Sequence, residues 1–211
     1  MPVFTSAKGQ APAWCEMKYF DIVRLGPGQT HSYERIGLRE KLILGRGRCR
    51  IWVAGREVLA EEKANLDLLP GVGVFAARAL EEECTLIRMC GDWGEVCGGA
   101  GIFTGATSAA PQDAGDPVEY PKSTNFDCHF HDCDEYWILF EGRGLAYSEG
   151  KPYLVGPGDC VATGMGHHHD LARVDEPIRA VYFETTLQGQ LRHGHLWDHT
   201  HGKAAPKLER V

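Results

Sequence analysis

The stretch FDCHFHDCDEYWILFEG, residues 126–142, holds two histidines one residue apart and a glutamate four positions after the second. Its second half, rich in aromatic and β-branched residues and closed by glycine, reads as a buried strand entering a hairpin. On a strand His129 and His131 point to the same face, and Glu135 keeps that parity if the strand continues or bends gently. A second cluster, GHHHDL at 166–171, follows a tight turn, VGPGD at 155–159, and a short strand, CVATGM. Two paired strands would bring one histidine of the triplet opposite His129 and His131. Three neutral imidazoles and a carboxylate converging in an apolar barrel make a site for a divalent metal. Alternation sets His167 and His169 on one side and His168 on the other. Parity excludes His168 and does not separate the outer two.

Outward from this stretch, strand-length runs punctuated by glycine and proline dominate the chain: YFDIVRL, RCRIWVAG, CTLIRMCG, KPYLVGPGD and IRAVYFETT. Only residues 54–65 and 76–84 have helical composition. Regular strand spacing with turn signals points to an all-β sandwich or barrel with little helix. The segment LGRGRCRIWVAGREVL at 44–59 echoes EGRGLAYSEGKPYLV at 141–155, which suggests two similar barrels in tandem. The expected division is a barrel at 16–95, a linker at 96–114 rich in Gly, Ala, Pro and Ser, a second barrel at 115–187 and a His-rich tail at 188–211. In the echo, His31 matches the first histidine position and Tyr33 replaces the second. No histidine occurs between His31 and His129, so the first barrel is expected to hold no three-imidazole site.

Composition narrows the partners. A net charge of −7 argues against a phosphate-backbone partner, and no apolar run is long enough to span a membrane. The arginines at 35, 39, 46, 48 and 50 are read as exposed strand faces. With no charged and apolar leader at the N-terminus, the expected location is cytoplasmic. The eight cysteines then read as reduced thiols rather than a disulfide framework. Cys128, Cys133 and Cys160 are read first as small buried hydrophobes, and second as an oxidation-sensitive shell around a metal.

The second half resembles the cupin superfamily, whose first motif is HxH, three or four residues, Glu, six residues, Gly. His129, His131, Glu135 and Gly142 stand at those spacings. The second motif, a Pro-Gly-Asp turn followed by PxGxxH, is matched by PGDCVATGMGHHH, with Gly164 in place of the usual proline. Counting on from Gly166 selects His169. Ser123 and Arg173 also depart from the pattern, at turns rather than at ligands. The match covers about 50 residues of the 211. The resemblance implies two cupin-type double-stranded β-helix barrels, a bicupin. It also implies one divalent transition metal per chain (Mn, Fe, Ni, Co or Zn) held by His129, His131, Glu135 and His169.

From the same resemblance follows an enzyme on a small polar metabolite, a sugar or a hydroxy or keto acid. Isomerase, dioxygenase, decarboxylase and lyase chemistry all stay open. A homodimer is expected, because tandem barrels expose sheet edges. Tyr182 and Glu184, on one face of AVYFE by parity, are candidate acid–base groups beside Glu135. The alternative is a non-catalytic metal- or sugar-binding bicupin with a regulatory role. In the tail, RHGHLWDHTHG at 192–202 reads as solvated, with His195, beside Leu196 and Trp197, a candidate for covering a pocket mouth.

Overall fold

The computed structural model describes residues 3–6, 11–68, 71–110, 115–189 and 203–211. Among these residues the chain forms fourteen strands and no helix. They are β1 (Val3–Thr5), β2 (Met17–Leu25), β3 (Thr30–Glu34), β4 (Arg39–Arg46), β5 (Arg48–Val53), β6 (Arg56–Glu61) and β7 (Asn65–Leu68). Then come β8 (Val74–Ala79), β9 (Cys84–Gly91), β10 (Cys97–Gly105), β11 (Glu135–Ser148), β12 (Lys151–Val155), β13 (Asp159–Thr163) and β14 (His169–Thr186). The chain divides into two compact units, one of Ser6–Gln10 and Met17–Trp93, the other of Met1–Thr5, Ala11–Glu16 and Gly94–Val211.

In the 17–93 unit one sheet runs β2-β9-β4-β7 and the other β3-β8-β5-β6. Leu42, Leu44, Ile51, Phe75 and Leu86, drawn from both sheets, belong to one buried core cluster. Each such side chain contributes about 1.5–3 kcal/mol on burial. In the 94–211 unit the order β10-β14-β11-β13 repeats that of β2-β9-β4-β7, with β1 beyond β13 and β12 on β11. The 14 residues of β11 and 18 of β14 run unbroken where the other unit uses β4 with β5 and β8 with β9. Both long strands bend through register shifts in their shared ladder.

Glycine sets the bend. Gly47, between β4 and β5, has φ +77°, and Gly142 within β11 has φ +78°. A side chain at either would also strike backbone, Glu83 O for Gly47 and Pro177 O for Gly142. The two positions therefore correspond, and the echo read from the sequence slips by two residues, since it had set Gly45 against Gly142.

Two further readings are corrected. Residues 54–65 and 76–84 are not helical, because Ala54 and Gly55 both have positive φ and close β5 and β6 as a two-residue hairpin. β8 is then paired on both sides, by β3 and β5. Residues 97–105, read as part of a connecting loop, form β10 and ladder along β14 from Cys97↔Thr186 to Gly105↔Ile178. The segment 192–202, read as solvated, falls outside the described residues, and residues 203–211 after it pack on their own unit. Lys207 N–H donates to Met165 O (3.0 Å), and Arg210 pairs with the buried Asp134 (2.8 Å). That packing accounts for Gly164 where proline is usual in the motif, since a Cβ there would lie 2.5 Å from the Arg210 side chain. His195 and its neighbours fall outside the described residues.

Candidate metal centre and its cavity

Glu135 opens β11 and His169 opens β14, while His129 stands just before β11 and forms an isolated bridge with His169. Their backbones exchange two hydrogen bonds, of 3.2 and 2.9 Å. His131 is pinned by its carbonyl, which accepts from Gly166 N–H at 2.8 Å. Gly166 itself turns with φ +79°. These constraints bring one atom each from His129, His131, Glu135 and His169 within 4.8 Å of one another. All four residues are 1–5% exposed.

The contacts are short. His129 Nε2 lies 3.1 Å from His131 Nε2, which lies 3.1 Å from Glu135 Oε2, and Glu135 Oε2 is 2.6 Å from His169 Nε2. Glu135 Oε2 and His169 Nε2, close as they are, make no hydrogen bond. Lone pairs converging in a buried space cost energy unless a proton or a cation lies among them. The tautomers favour the cation. His129 Nδ1 is 3.0 Å from Asp127 O and His169 Nδ1 is 3.4 Å from His167 O. A carbonyl only accepts, so each Nδ1 carries the proton and each Nε2 presents a lone pair to the cluster. Trp137 Nε1–H donates to Glu135 Oε1 at 2.9 Å and leaves Oε2 for the same point. Burial acts to raise the Glu135 carboxyl, but when His131 and His169 carry protons in place of a cation their charge outweighs it and holds that group well below the usual carboxylate range. Two imidazole donors with fixed tautomers, a third beside them and one oriented carboxylate oxygen fit a divalent transition metal.

The triplet is divided as the motif spacing implies, although not by strand alternation. Residues 167 and 168 precede β14, and His167 sits in a turn, its N–H donating to Gly164 O. The His167 side chain donates from Nε2 to Lys207 O (2.8 Å), and His168 pairs with Asp116 (2.8 Å). Asp170 does not support His169. Tyr120 O–H and Lys122 Nζ take its Oδ2, at 2.9 and 2.8 Å.

A cavity of about 150 Å³ opens onto the cluster, lined by His129, His131 and Glu135 together with Tyr182 and Glu184. Glu184 and Tyr182 are the Cα partners of Glu135 and Trp137 across the β11–β14 ladder, so the parity read from AVYFE holds. Phe103, Phe126 and Trp137 supply apolar wall, and Asp127 a further carboxylate. A larger cavity of about 590 Å³ touches His169 alone of the four.

Sequence reasoning missed the strand that makes room for these groups. A Cβ at Gly98 would lie 2.7 Å from Glu184 Cβ, one at Gly101 would lie 2.9 Å from Tyr182 Cε1, and one at Gly94 would lie 2.8 Å from Thr186. Three alternate side chains of β14 thus rest on glycine. Of the cysteines read first as buried hydrophobes and second as a shell around a metal, Cys133 is buried with its sulfur grouped with His131 and Glu184, and burial pushes its thiol far up.

The 17–93 unit has counterparts of these positions. The Ala54-Gly55 turn matches Glu149-Gly150, both with positive φ. Beside these turns Val53 pairs with Phe75 and Ser148 with His169. Phe75 therefore stands at the place of His169, and Tyr33, paired with Phe75, at that of His129. The first histidine position thus falls to Tyr33, not to His31. Glu40, seven residues before Gly47, corresponds to Glu135. Arg88, opposite Leu42, corresponds to Tyr182. The Arg88 guanidinium donates to both oxygens of Glu40 (3.0 and 2.9 Å) and lies 5.5 and 5.2 Å from the ring centres of Tyr33 and Phe75.

The architecture is the all-β, cupin-type barrel fold. Vicilin from hazelnut, Corylus avellana, matches with a TM-score of 0.58 at 9% identity, covering 81% of this chain and 75% of that one. The putative glyoxylate induced protein of Pseudomonas aeruginosa gives 0.53 at 10% identity, with 89% and 80% covered. Bacillus subtilis oxalate decarboxylase, a protein with Mn(II) centres, gives 0.53 at 12% identity, with 80% and 68% covered. No family model matches the chain. The chain belongs to the same family as the uncharacterized protein y4oW of Sinorhizobium fredii, to which it is 43% identical over 212 residues, covering 100% of this chain and 97% of that protein.

Proposed function

We propose that the protein is a bicupin enzyme in which the 94–211 unit binds one divalent transition metal (Mn, Fe, Ni, Co or Zn) through His129, His131, Glu135 and His169 and acts on a small polar metabolite. The observation that carries this reading is the buried convergence of three imidazoles and one carboxylate oxygen, with a cavity beside it. When bound, such a cation polarises a carbonyl or hydroxyl oxygen set against it. The chain's own groups do the rest. Asp127 O and Trp137 Nε1 hold His129 and Glu135 in orientation, and the aromatic wall limits water. Glu184, level with Glu135 across the ladder, is placed to take a proton from a bound molecule, and Tyr182 to donate one.

The 17–93 unit, on this reading, carries its own cation. Arg88 stands over Tyr33 and Phe75 and is held by Glu40, where the other unit would hold a metal. Elemental analysis of the purified protein should find close to one transition metal per chain. His169→Ala, His129→Ala and His131→Ala should each lower that content severalfold or more, while His168→Ala should leave it nearly unchanged. Two tightly bound metals per chain, or loss of metal from His167→Ala with retention in His169→Ala, would refute the assignment. The sheet edges favour a homodimer, for which a monomeric mass in light scattering is the contrary result. A reducing, cytoplasmic setting predicts eight titratable thiols in the denatured, unreduced protein.

A further inference from the structure

Resting on the metal reading above, we infer that the substrate is a neutral, enolisable carbonyl compound of about six non-hydrogen atoms, and that Glu184 removes its proton. Size is the first ground. A cavity of about 150 Å³ holds a molecule about as large as benzene. A hexose, about twice that size, would leave about half of itself outside the open mouth of the cavity.

Charge is the second ground. The walls carry the carboxylates of Asp127, Glu135 and Glu184, and among the described residues no lysine or arginine lines the cavity. A divalent cation offsets two of the three negative charges, so the site keeps a negative excess. Glu184 is 4% exposed and Glu135 5%, which leaves little water to screen an entering anion. A hydroxy or keto acid would bring its own carboxylate against these groups with no side-chain cation to receive it. A hydroxyketone or other neutral carbonyl compound meets no such penalty, and its carbon skeleton suits the walls of Phe103, Phe126 and Trp137.

The third ground is the position of Glu184. It is the Cα partner of Glu135 on the neighbouring strand and shares its cavity. Its side chain rests on the backbone of Gly98, where a Cβ would collide with it. A carboxylate so placed takes a proton from the carbon beside the carbonyl. The C–H bond breaks, the proton passes to Glu184, and the electron pair forms the C=C bond of an enolate whose oxygen carries the charge. Return of the proton to the same carbon completes an exchange; its return to the former carbonyl carbon, with the neighbouring hydroxyl proton passing to the enolate oxygen, completes an isomerisation, and neither needs an oxidant or reductant.

Hydroxyacetone and glycolate test this directly, because a methyl group in the first replaces a charged oxygen in the second. Their affinities are measured by calorimetry on the purified protein, with metal content determined on the same sample. Loss of the hydroxymethyl C–H signal of hydroxyacetone in D₂O is followed by NMR. Hydroxyacetone should bind at least tenfold more tightly than glycolate, and the protein should accelerate its exchange. Glu184→Gln should slow that exchange at least a hundredfold, keep hydroxyacetone affinity within about threefold, and narrow the preference over glycolate. Glycolate binding as tightly as hydroxyacetone to protein that carries its cation overturns the substrate class and leaves the metal reading standing. Protein that carries no cation and binds neither compound overturns both. Full exchange activity in Glu184→Gln removes Glu184 from the role.

Discussion

Replacing Arg88 with methionine keeps the volume of the 17–93 core nearly intact and removes its internal cation. Glu40 is 1% exposed and Arg88 7%, so the loss leaves a buried carboxylate without its countercharge. Breaking such a pair from one side costs about 3–5 kcal/mol, and the stacking of the guanidinium over Tyr33 and Phe75 is lost with it. Glu40 would not be stranded altogether, because its Oε1 also accepts from the N–H groups of Ile36 (2.6 Å) and Gly37 (3.1 Å). Those two bonds dictate the compensating change. Glu40→Gln removes the charge and keeps an acceptor for both amides, so the double variant Arg88→Met/Glu40→Gln should recover most of the loss. Urea unfolding followed by tryptophan fluorescence, with Trp52 reporting from β5, gives the four stabilities of the cycle. The coupling should be at least about 2 kcal/mol. An Arg88→Met cost below about 1 kcal/mol, or strictly additive single changes, would show that the pair is not the support described. Metal content should be the same in all four proteins.

Gly98→Ala should press on the Glu184 side chain, cost about 1–3 kcal/mol by overpacking, and impair turnover more than metal content; an unchanged thermal midpoint with full activity would contradict the contact geometry. Glu135 is held below its ordinary range, so its contribution to stability is present above the ordinary value and lost as pH falls through the lowered folded value. In metal-stripped protein the acid-unfolding curves of wild type and Glu135→Gln should therefore differ at neutral pH and converge only as the pH falls well below the ordinary carboxylate range, and persistent separation in strong acid would reverse the sign of the shift.

The metal cluster was legible because its geometry is local. Period-two alternation was the rule used for His129 and His131, although His129 stands in an isolated bridge and His131 outside any strand; the same rule joins Tyr182 to Glu184 within β14 without knowledge of the partner strand. The reach to His169 was legible through the turn at 157–158, although the parity assumed for residues 167–169 does not hold in a turn. What stayed hidden depends on contacts between distant segments. The glycines of 98–101 look like linker composition, and only the ladder with β14 shows that their missing side chains are required. The two-residue slip between Gly45 and Gly47 could not be seen in the letters, since both copies contain Gly-Arg-Gly and only positive φ identifies the equivalent glycine. Residues 54–65 read as helical because the Ala54-Gly55 turn reverses the chain in two residues, which composition does not reveal. Arg88 drew no notice because an arginine inside a strand is ordinarily a surface residue. Its burial depends on Glu40, 48 positions away.

The glycine floor under Glu184, Tyr182 and Thr186 also limits how the family can diversify. Where side chains that line a cavity rest on bare backbone, substitution of that backbone can only add atoms, and each added atom pushes on Glu184 or Tyr182. Room for a bulkier substrate can be gained by trimming the aromatic lining, Phe103 on the same strand, Phe126 or Trp137. Trp137 is constrained as well, because it holds Glu135. A lineage that adapts to larger compounds should therefore vary first at positions 103 and 126 and keep glycine at 98 and 101.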